Sequence, residues 1–273
     1  LLGPNGSGKT TTIRLLNGVI NQDKGEIEVF GLDPQIDGDK ARKLTGVLTE
    51  SAGLYPHLSG EENLRFFGEL YNIKDDSHIE TLLRDFGLYE HKDKKVGVYS
   101  TGMTKRLGIA KALLHNPKLL FLDEPTTGLD PEGARDLLSY IERLNKEKGV
   151  TILICTHILG QIETLCDRFL FLDTGKIIEE GSLSEIESRY LTKFLLKIET
   201  DINLSDLPSE FELVESSLDT LIFKLPTKEE IPKLLRALLE KGSVYSCEIL
   251  GRDLETMYFK IRGKNLKEAN KDE

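Results

Sequence analysis

The sequence has few cysteines, no excess of basic residues and no long apolar run. Its three cysteines, Cys155, Cys166 and Cys247, are widely spread and form no C-x-x-C pair, which favours a reducing cytosol over a disulfide framework or a zinc site. With 36 Lys and Arg against 46 Asp and Glu, the net charge of −10 argues against a nucleic-acid partner. No stretch approaches the roughly 18 apolar residues of a membrane span, and no signal peptide is visible.

The length of 273 residues, 39% of them hydrophobic and 30% charged, allows one large and one smaller globular domain. Residues 1–190 alternate between strand-like and helix-like segments, so we predict an α/β domain with a central, mostly parallel sheet. The continuously apolar stretches at 118–122 and 150–155 are typical of parallel strands buried on both faces. Further predicted elements are strands at 25–31 and 47–48, a helical subdomain over about 51–115, a helix over 131–148 and a hairpin over 169–178.

A different pattern begins near residue 191. Short strand-like stretches at 194–198, 211–214 and 221–225 precede a helix whose apolar face carries leucines at 234, 235, 238 and 239. Pro232 indicates that this helix becomes regular near that residue. We therefore predict a small α+β domain over 191–273, in which no catalytic constellation is visible.

The first residues match a phosphate-binding loop, G-x-x-x-x-G-K-[ST], formed by Gly3, Pro4, Asn5, Gly6, Ser7, Gly8, Lys9 and Thr10. Glycines let consecutive backbone N–H groups curl around a phosphate, and the helix that follows points its positive end at the same anion. Lys9 would reach the β- and γ-phosphates, and the Thr10 hydroxyl would bind Mg²⁺. Such a loop needs a strand before it, but only Leu1 and Leu2 precede the match, so we expect the natural N-terminal strands to be missing.

Two acidic residues, Asp123 and Glu124, end the apolar stretch at 118–122. At the carboxyl end of a strand beside a phosphate-binding loop, Asp123 would hold Mg²⁺, and Glu124 would polarise the water that attacks the γ-phosphate. Taken alone, the same pair fits a solvated loop equally well. Its occurrence with a phosphate-binding loop in one α/β domain favours the catalytic interpretation.

With these residues in place, the chain resembles the ATP-binding cassette (ABC) transporter ATPases over residues 1–190. Five motifs follow the family's order: Walker A at 3–10, the signature at 99–103, Walker B at 119–124, the D-loop at 128–130 and the switch histidine at 157. The resemblance implies a P-loop NTPase fold with a helical signature subdomain. It also implies ATP hydrolysis with ATP and Mg²⁺ as cofactors, and a head-to-tail pair of nucleotide-binding subunits, identical or different.

The resemblance assigns roles to individual residues as well. Thr11 would contact the α-phosphate, and His157 would donate to the γ-phosphate and orient Glu124. Ser100 and the Gly102 amide, at a helix N-terminus, would bind the γ-phosphate held by the partner subunit. Plainer alternatives exist, because Ser-Thr-Gly is also an ordinary N-cap sequence and a lone histidine after a strand is more often structural.

Some positions depart from the family pattern or stay ambiguous. Asp130 belongs to the nucleotide site by motif order, but Asp-Pro is also a common start of a helix. The signature has Thr101 and Met103 where the family has Gly and Gln, a variant familiar in type-2 exporters. Glu50 stands where the family often has Gln; a glutamate can still reach Mg²⁺ or its water, but it adds negative charge near the phosphates.

Within the family, the type-2 exporters share several features with this chain: residues 53–58 after Glu50, the Tyr-Ser-x-Gly-Met signature and the tail at 251–259. This resemblance implies an ATPase subunit at the cytoplasmic face of the membrane that drives a separate permease. We expect residues 51–90, including Tyr55, to dock that permease. The resemblance does not assign a transported substrate.

Two rival functions come from other classes. One is a soluble, non-transport ABC ATPase associated with translation or DNA, but such proteins typically carry tandem cassettes or a long coiled-coil insertion, and neither is visible in this sequence. The other is a binding module with a dead site, which Lys9, Asp123, Glu124 and His157 argue against.

Overall fold

The computed structural model describes residues 1–191, 193–204 and 207–269, the last six of them as backbone only. These residues form two units, the first of residues 1–165 and 172–176 and the second of the remaining described residues. The chain passes from the first unit to the second between residues 166 and 177, before the domain boundary expected at residue 190. The boundary at 190 stays a prediction.

A parallel sheet of three strands occupies the first unit in the order β1 (Thr45–Leu48), β2 (Leu119–Asp123), β3 (Thr151–Cys155). The middle strand β2 is buried from its second residue onward, as its continuous apolar pattern predicts. Leu122 pairs with Leu48 on one side and Asp123 pairs with Cys155 on the other, so the three strands end at one edge. This sheet confirms the predicted α/β class.

Two residues at the start of the chain run alongside this sheet. Leu2 forms a parallel bridge with Thr156, and its carbonyl accepts a hydrogen bond of 2.7 Å from the Leu172 N–H. Leu2 is fully buried. The residue that leads into the phosphate-binding loop is therefore fixed next to the end of β3.

Two described helices of the first unit precede β1 in sequence, and the others lie between its strands; the helical stretch expected over about 51–115 contains three of them. The helix predicted over 131–148 is found with those bounds, whereas the second helix, at 38–44, was not expected. The helices are α1 (Lys9–Leu16), α2 (Gly38–Leu44), α3 (Gly60–Leu70), α4 (Asp76–Asp85), α5 (Thr101–Leu113) and α6 (Pro131–Lys148).

The strand predicted at 25–31 is wrong. Val29 forms one antiparallel bridge with Leu32, across a turn in which Phe30 and Gly31 have φ values of 54° and 77°. Mutual backbone hydrogen bonds of 2.9 and 3.1 Å between Val29 and Leu32 close this turn. Alternating apolar and polar residues form a strand only where a neighbouring strand takes up their backbone groups, and no described strand pairs with this segment.

The second unit contains a four-stranded antiparallel sheet in the order β7 (Glu212–Ser216), β8 (Thr220–Leu225), β6 (Phe194–Thr200), β9 (Val244–Leu250). Helix α8 has Pro232 in its first turn, as predicted, and buries Leu234 and Leu238 against Leu196 and Phe223 of the sheet. The predicted hairpin is present as β4 (Phe169–Asp173) and β5 (Lys176–Gly181), of which residues 172–176 are counted in the first unit and the rest in the second. The elements β9, α7 and α9 were not expected. The bounds of the helices are α7 (Leu183–Tyr190), α8 (Ile231–Leu239) and α9 (Leu254–Ala269).

The tail at 251–259 packs within this second unit. Arg252 donates two hydrogen bonds to the Glu187 carboxylate of α7, at 2.8 and 2.6 Å, and this bidentate pair is partly shielded from solvent. Leu254 and Met257 are fully buried. These residues of the tail therefore serve packing in the second unit.

Candidate functional site

The phosphate-binding loop folds around Lys9. The Lys9 ammonium donates to the carbonyls of Gly3 and Pro4, at 2.9 and 3.2 Å, and the residue is buried. Gly8 has φ 108°, and a Cβ on Gly3 would lie 2.2 Å from the carbonyl oxygen of Leu172. Both positions therefore need glycine, since any side chain would be strained or would clash.

The outer surface of this loop is open to solvent. Asn5 and Gly6 are exposed, and Pro4 is half-buried. Thr10 and Thr11 are exposed in the first turn of α1, where a helix leaves backbone N–H groups free for an anion. A phosphate can therefore approach the loop and the start of α1 from solvent.

Thr10 and Asp123 lie side by side. The Thr10 hydroxyl donates to Asp123 Oδ2 at 2.8 Å. The other carboxylate oxygen, Oδ1, is buried and has no hydrogen-bond partner among the described residues, and the same is true of the Ser7 hydroxyl. A buried charged oxygen left without donors is costly, and carboxylate and hydroxyl oxygens are the ligands that Mg²⁺ prefers. Thr10 and Asp123 therefore fit a Mg²⁺ ion.

Glu124 links the other two predicted catalytic residues. Its Oε1 lies 2.9 Å from His157 Nδ1 and 3.6 Å from Lys9 Nζ, and the Thr127 hydroxyl donates to Oε2 at 3.3 Å. Burial alone would raise the pKa of Glu124, but the hydrogen bond to His157 and the charges of His157 and Lys9 outweigh it and hold the pKa below its ordinary value. Glu124 is therefore ionised at neutral pH, in the form that accepts a proton.

The backbone of Glu124 adopts an uncommon conformation. Its φ is 49°, in the left-handed region that a non-glycine residue occupies at a cost of about 1–3 kcal/mol. The Glu124 N–H donates to the Cys155 carbonyl at 2.8 Å, which ties the turn to the end of β3. Surrounding hydrogen bonds therefore have to keep this residue in place.

The predicted signature and D-loop residues lie at helix starts. Ser100 caps α5 by accepting from the Met103 N–H at 3.2 Å, and Gly102 follows in the first turn. Asp130 caps α6 by accepting from the Gly133 N–H at 2.8 Å. Among the described residues, no hydrogen bond or ion pair connects Ser100, Gly102 or Asp130 to the phosphate-binding loop.

The chain thus brings together Lys9, Thr10, Asp123, Glu124 and His157, but not the signature. Glu50 lies two residues beyond the end of β1, with an exposed side chain. Its backbone carbonyl accepts a hydrogen bond from Lys105, but within the described residues its carboxylate makes no hydrogen bond to Thr10 or Asp123.

A sequence model of the family described as ABC transporter matches residues 1–127. The uncharacterized ABC transporter ATP-binding protein YdbJ of Bacillus subtilis (strain 168) is 37% identical over 262 residues, which cover 95% of this chain and 84% of that protein. The chain belongs to the ABC transporter ATPase family. Its nucleotide site is therefore that of an ATP-hydrolysing subunit.

Two further proteins are similar to this ABC ATPase. The bacitracin transport ATP-binding protein BcrA of Bacillus licheniformis is 40% identical over 218 residues, covering 80% of the ATPase and 69% of that protein. A solved structure described as the ATP binding subunit of an ABC transporter shares 33% identity and a TM-score of 0.62, covering 69% of the ATPase and 80% of that chain. Within the described part of the ATPase, no helix combines the length and apolar character needed to cross a bilayer.

One residue that the motifs do not include, Lys105, also reaches the site of the ATPase. Its ammonium donates to the carbonyls of Glu50 and Glu124. Residues 107–110 of the same helix are all buried, and a lysine inside such a helix needs buried hydrogen-bond partners. In the sequence this appears only as a lysine just before Leu107, Ile109 and Ala110, which does not identify its partners.

Proposed function

We propose that the ATPase powers export through a separate membrane permease, at the cytoplasmic face of the membrane. The observation that carries the catalytic part of this proposal is the contact of Glu124 with both His157 and Lys9, at 2.9 and 3.6 Å. The transport part is supported by the similarity to a bacitracin transport ATP-binding protein. In this proposal residues 1–190 form the nucleotide-binding domain and residues 191–273 an accessory domain.

Hydrolysis would begin when ATP enters the loop. Lys9 would exchange its two loop carbonyls for the β- and γ-phosphate oxygens, while backbone N–H groups of residues 6–11 hold the phosphates. Glu124 would then orient the attacking water and accept its proton, and His157 would keep the carboxylate aimed at the γ-phosphate. Lys9, Glu124 and His157 are already connected to one another by these contacts, and Lys9 is connected to the loop through the Gly3 carbonyl.

Thr10 and Asp123 are the residues that would hold Mg²⁺, with Glu50 reaching the ion or its water. When bound, the ion would neutralise charge on the phosphates. The support for this assignment is the 2.8 Å contact of Thr10 with Asp123 and the unpartnered Oδ1 of the same carboxylate.

Ser100 and Gly102 would complete the site of a second subunit. They lie at the start of α5, where free N–H groups favour an anion, and among the described residues neither forms a hydrogen bond with the phosphate-binding loop of its own chain. A head-to-tail pair, homodimeric or heterodimeric, would set each signature against the ATP of the other subunit.

The surface formed by residues 51–90, which follow Glu50, is suited to binding the permease. Tyr55 is 39% exposed and Phe66 is also 39% exposed, and the two rings meet edge to face at 5.0 Å. Tyr55 also stacks on Phe67 at 5.8 Å. An exposed aromatic cluster of this kind marks an interaction surface, and its position within residues 51–90 supports the permease as the partner.

Co-purification from membranes tests this proposal. The wild-type chain should bring down a multi-span membrane protein in near-stoichiometric amount. Replacing Leu54 and Tyr55 by Ser should remove that partner but leave the basal ATPase rate largely intact, because the ring contacts of Tyr55 are to His57, Phe66 and Phe67, outside the nucleotide cluster. A matched control is the replacement of the exposed Ile36 by Ser, which should change neither.

The rival function has its own result in the same experiment. A soluble, non-transport ABC ATPase would be found with ribosomes or DNA and without a membrane partner. Retention of the membrane partner by the Leu54→Ser/Tyr55→Ser protein would place the docking surface elsewhere.

A further inference from the structure

Lys105 is a buried lysine that joins two separate loops. It lies in α5, five residues after the N-cap Ser100, and is only 5% exposed. Its Nζ donates to the Glu50 carbonyl at 2.8 Å and to the Glu124 carbonyl at 3.1 Å. One side chain thus connects the helix that begins at the signature to the segment after β1 and to the segment after β2.

Burying the Lys105 ammonium costs desolvation free energy, so packing alone does not account for a lysine at this position. Burial lowers the pKa of Lys105, and the attraction of the carboxylates of Glu50, Asp123 and Glu124 offsets this only in part. An apolar side chain of similar volume would avoid the cost of desolvating an ammonium group. An apolar side chain could not, however, donate hydrogen bonds to the two backbone carbonyls.

The Glu124 peptide depends on those donors. Besides Lys105, the Glu124 carbonyl accepts only a long 3.4 Å hydrogen bond from the Thr127 N–H among the described residues. On the other side, the Glu124 N–H is held by the Cys155 carbonyl at 2.8 Å. Lys105 and Cys155 therefore clamp the two peptide groups that flank a residue with φ 49°.

We propose that Lys105 is a positioning residue, which ties the signature helix to the backbone of Glu50 and Glu124 and so sets the direction of the Glu124 carboxylate. This inference rests on the proposed function in one respect, the role of Glu124 as the group that polarises water. In the described part of the chain, Lys105 forms no hydrogen bond or ion pair with Lys9, Thr10 or His157.

The same helix offers a matched control. Lys111 is also partly buried, and its ammonium donates to the carbonyls of Ala52 and Gly53 at 2.5 and 3.3 Å. Burial lowers the pKa of Lys111 to about 8. It therefore resembles Lys105 in burial and in its backbone partners, but it does not reach Glu124.

The experiment compares Lys105→Met with Lys111→Met in the otherwise unchanged protein. For Lys105→Met we expect kcat for ATP hydrolysis to fall by about tenfold or more, because a charge-assisted hydrogen bond to Glu124 is lost. The KM for ATP and the affinity for a non-hydrolysable ATP analogue should change less than about twofold, because Lys9 and its loop are untouched. Lys105→Arg, which keeps the charge and several donors, should restore most of kcat.

Hydrogen exchange gives a readout that does not depend on hydrolysis. Amides of residues 49–53 and 124–127 should exchange faster in Lys105→Met, whereas Lys111→Met should affect only the segment around 52–54 and leave kcat within about twofold of the wild type. Lys105→Gln, whose shorter side chain reaches at most one carbonyl, should give an intermediate kcat and serves if Lys105→Met does not fold.

Several results would overturn the inference: a wild-type kcat in Lys105→Met or Lys105→Gln, an equal loss in Lys111→Met, or a loss confined to nucleotide affinity. A wild-type protein that does not hydrolyse ATP would count against the proposed function instead. In that case unchanged exchange at 124–127 in Lys105→Met would still refute the positioning role, and faster exchange would support it.

Discussion

The phosphate-binding cluster and the signature region differ in how far one chain completes them. In the first, Thr10 contacts Asp123 at 2.8 Å, and the neighbouring Glu124 contacts His157 at 2.9 Å and Lys9 at 3.6 Å. In the second, Ser100 and Gly102 have local helix contacts but no described link to the cluster. Under the proposed function, this chain therefore carries one assembled half of a nucleotide site, the phosphate-binding cluster, and a second half, the signature region, that would act on ATP held by another subunit.

Topology explains the difference. Asp123 ends β2, and Glu124 and His157 follow the ends of β2 and β3, so the parallel sheet delivers them to one edge. The signature instead starts α5, after the helices α3 and α4. The carboxyl ends of the strands of a parallel sheet always lie at the same edge. The first residue of a helix has no such fixed position relative to the sheet.

The largest effect should come from breaking the assembled half. Glu124→Gln keeps the shape of the side chain but removes the carboxylate that polarises water, so we expect ATP hydrolysis to fall by about 10²- to 10⁴-fold. ATP should stay bound, because Lys9 and the loop are retained, and the nucleotide-bound dimer should persist on gel filtration. Phosphate release and retained nucleotide are the two measurements.

An exposed glutamate nearby provides the control for that variant. Glu132 lies in the first turn of α6, and Glu132→Gln should hydrolyse ATP at the wild-type rate. Hydrolysis by Glu124→Gln at the wild-type rate would refute the assignment of Glu124.

Two substitutions of Asp130 should have a smaller effect, and they distinguish its role as the N-cap of α6 from a role in ATP hydrolysis. Its carboxylate accepts from the Gly133 N–H at 2.8 Å, so Asp130→Ala should cost about 1 kcal/mol of stability. In a domain of this size that lowers the Tm by about 2–4 °C. Asp130→Ser, which can still cap α6, should recover the Tm as measured by thermal unfolding. If Asp130→Ser recovers the Tm but not the ATPase rate, then Asp130 also acts in the nucleotide site.

Much of this site was predictable because its chemistry lies in local patterns. A glycine-rich loop followed by Lys9, two acids after a continuously apolar strand and a histidine after the next strand are each readable in the sequence, and the sheet brings them together. Lys105 was not predictable in that way, because its two partners are backbone carbonyls 55 and 19 residues away, which no motif records.

The incorrect prediction of a strand at 25–31 has a related cause. Its apolar and polar residues alternate correctly, but strand formation also requires a paired neighbour, and periodicity carries no information about that partner. In the second unit the order β7-β8-β6-β9 was likewise out of reach, because it depends on pairings between strands far apart in sequence.

Mixed subunits test most directly the claim that each chain carries two separate halves of a site. Lys9→Ala damages the phosphate-binding half and Ser100→Arg the signature half, so each homodimer should be inactive. In verified heterodimers one composite site carries both lesions and the other carries neither, so we expect about half of the wild-type ATPase activity. Heterodimers as inactive as the two homodimers, or a fully active Ser100→Arg homodimer, would contradict the account.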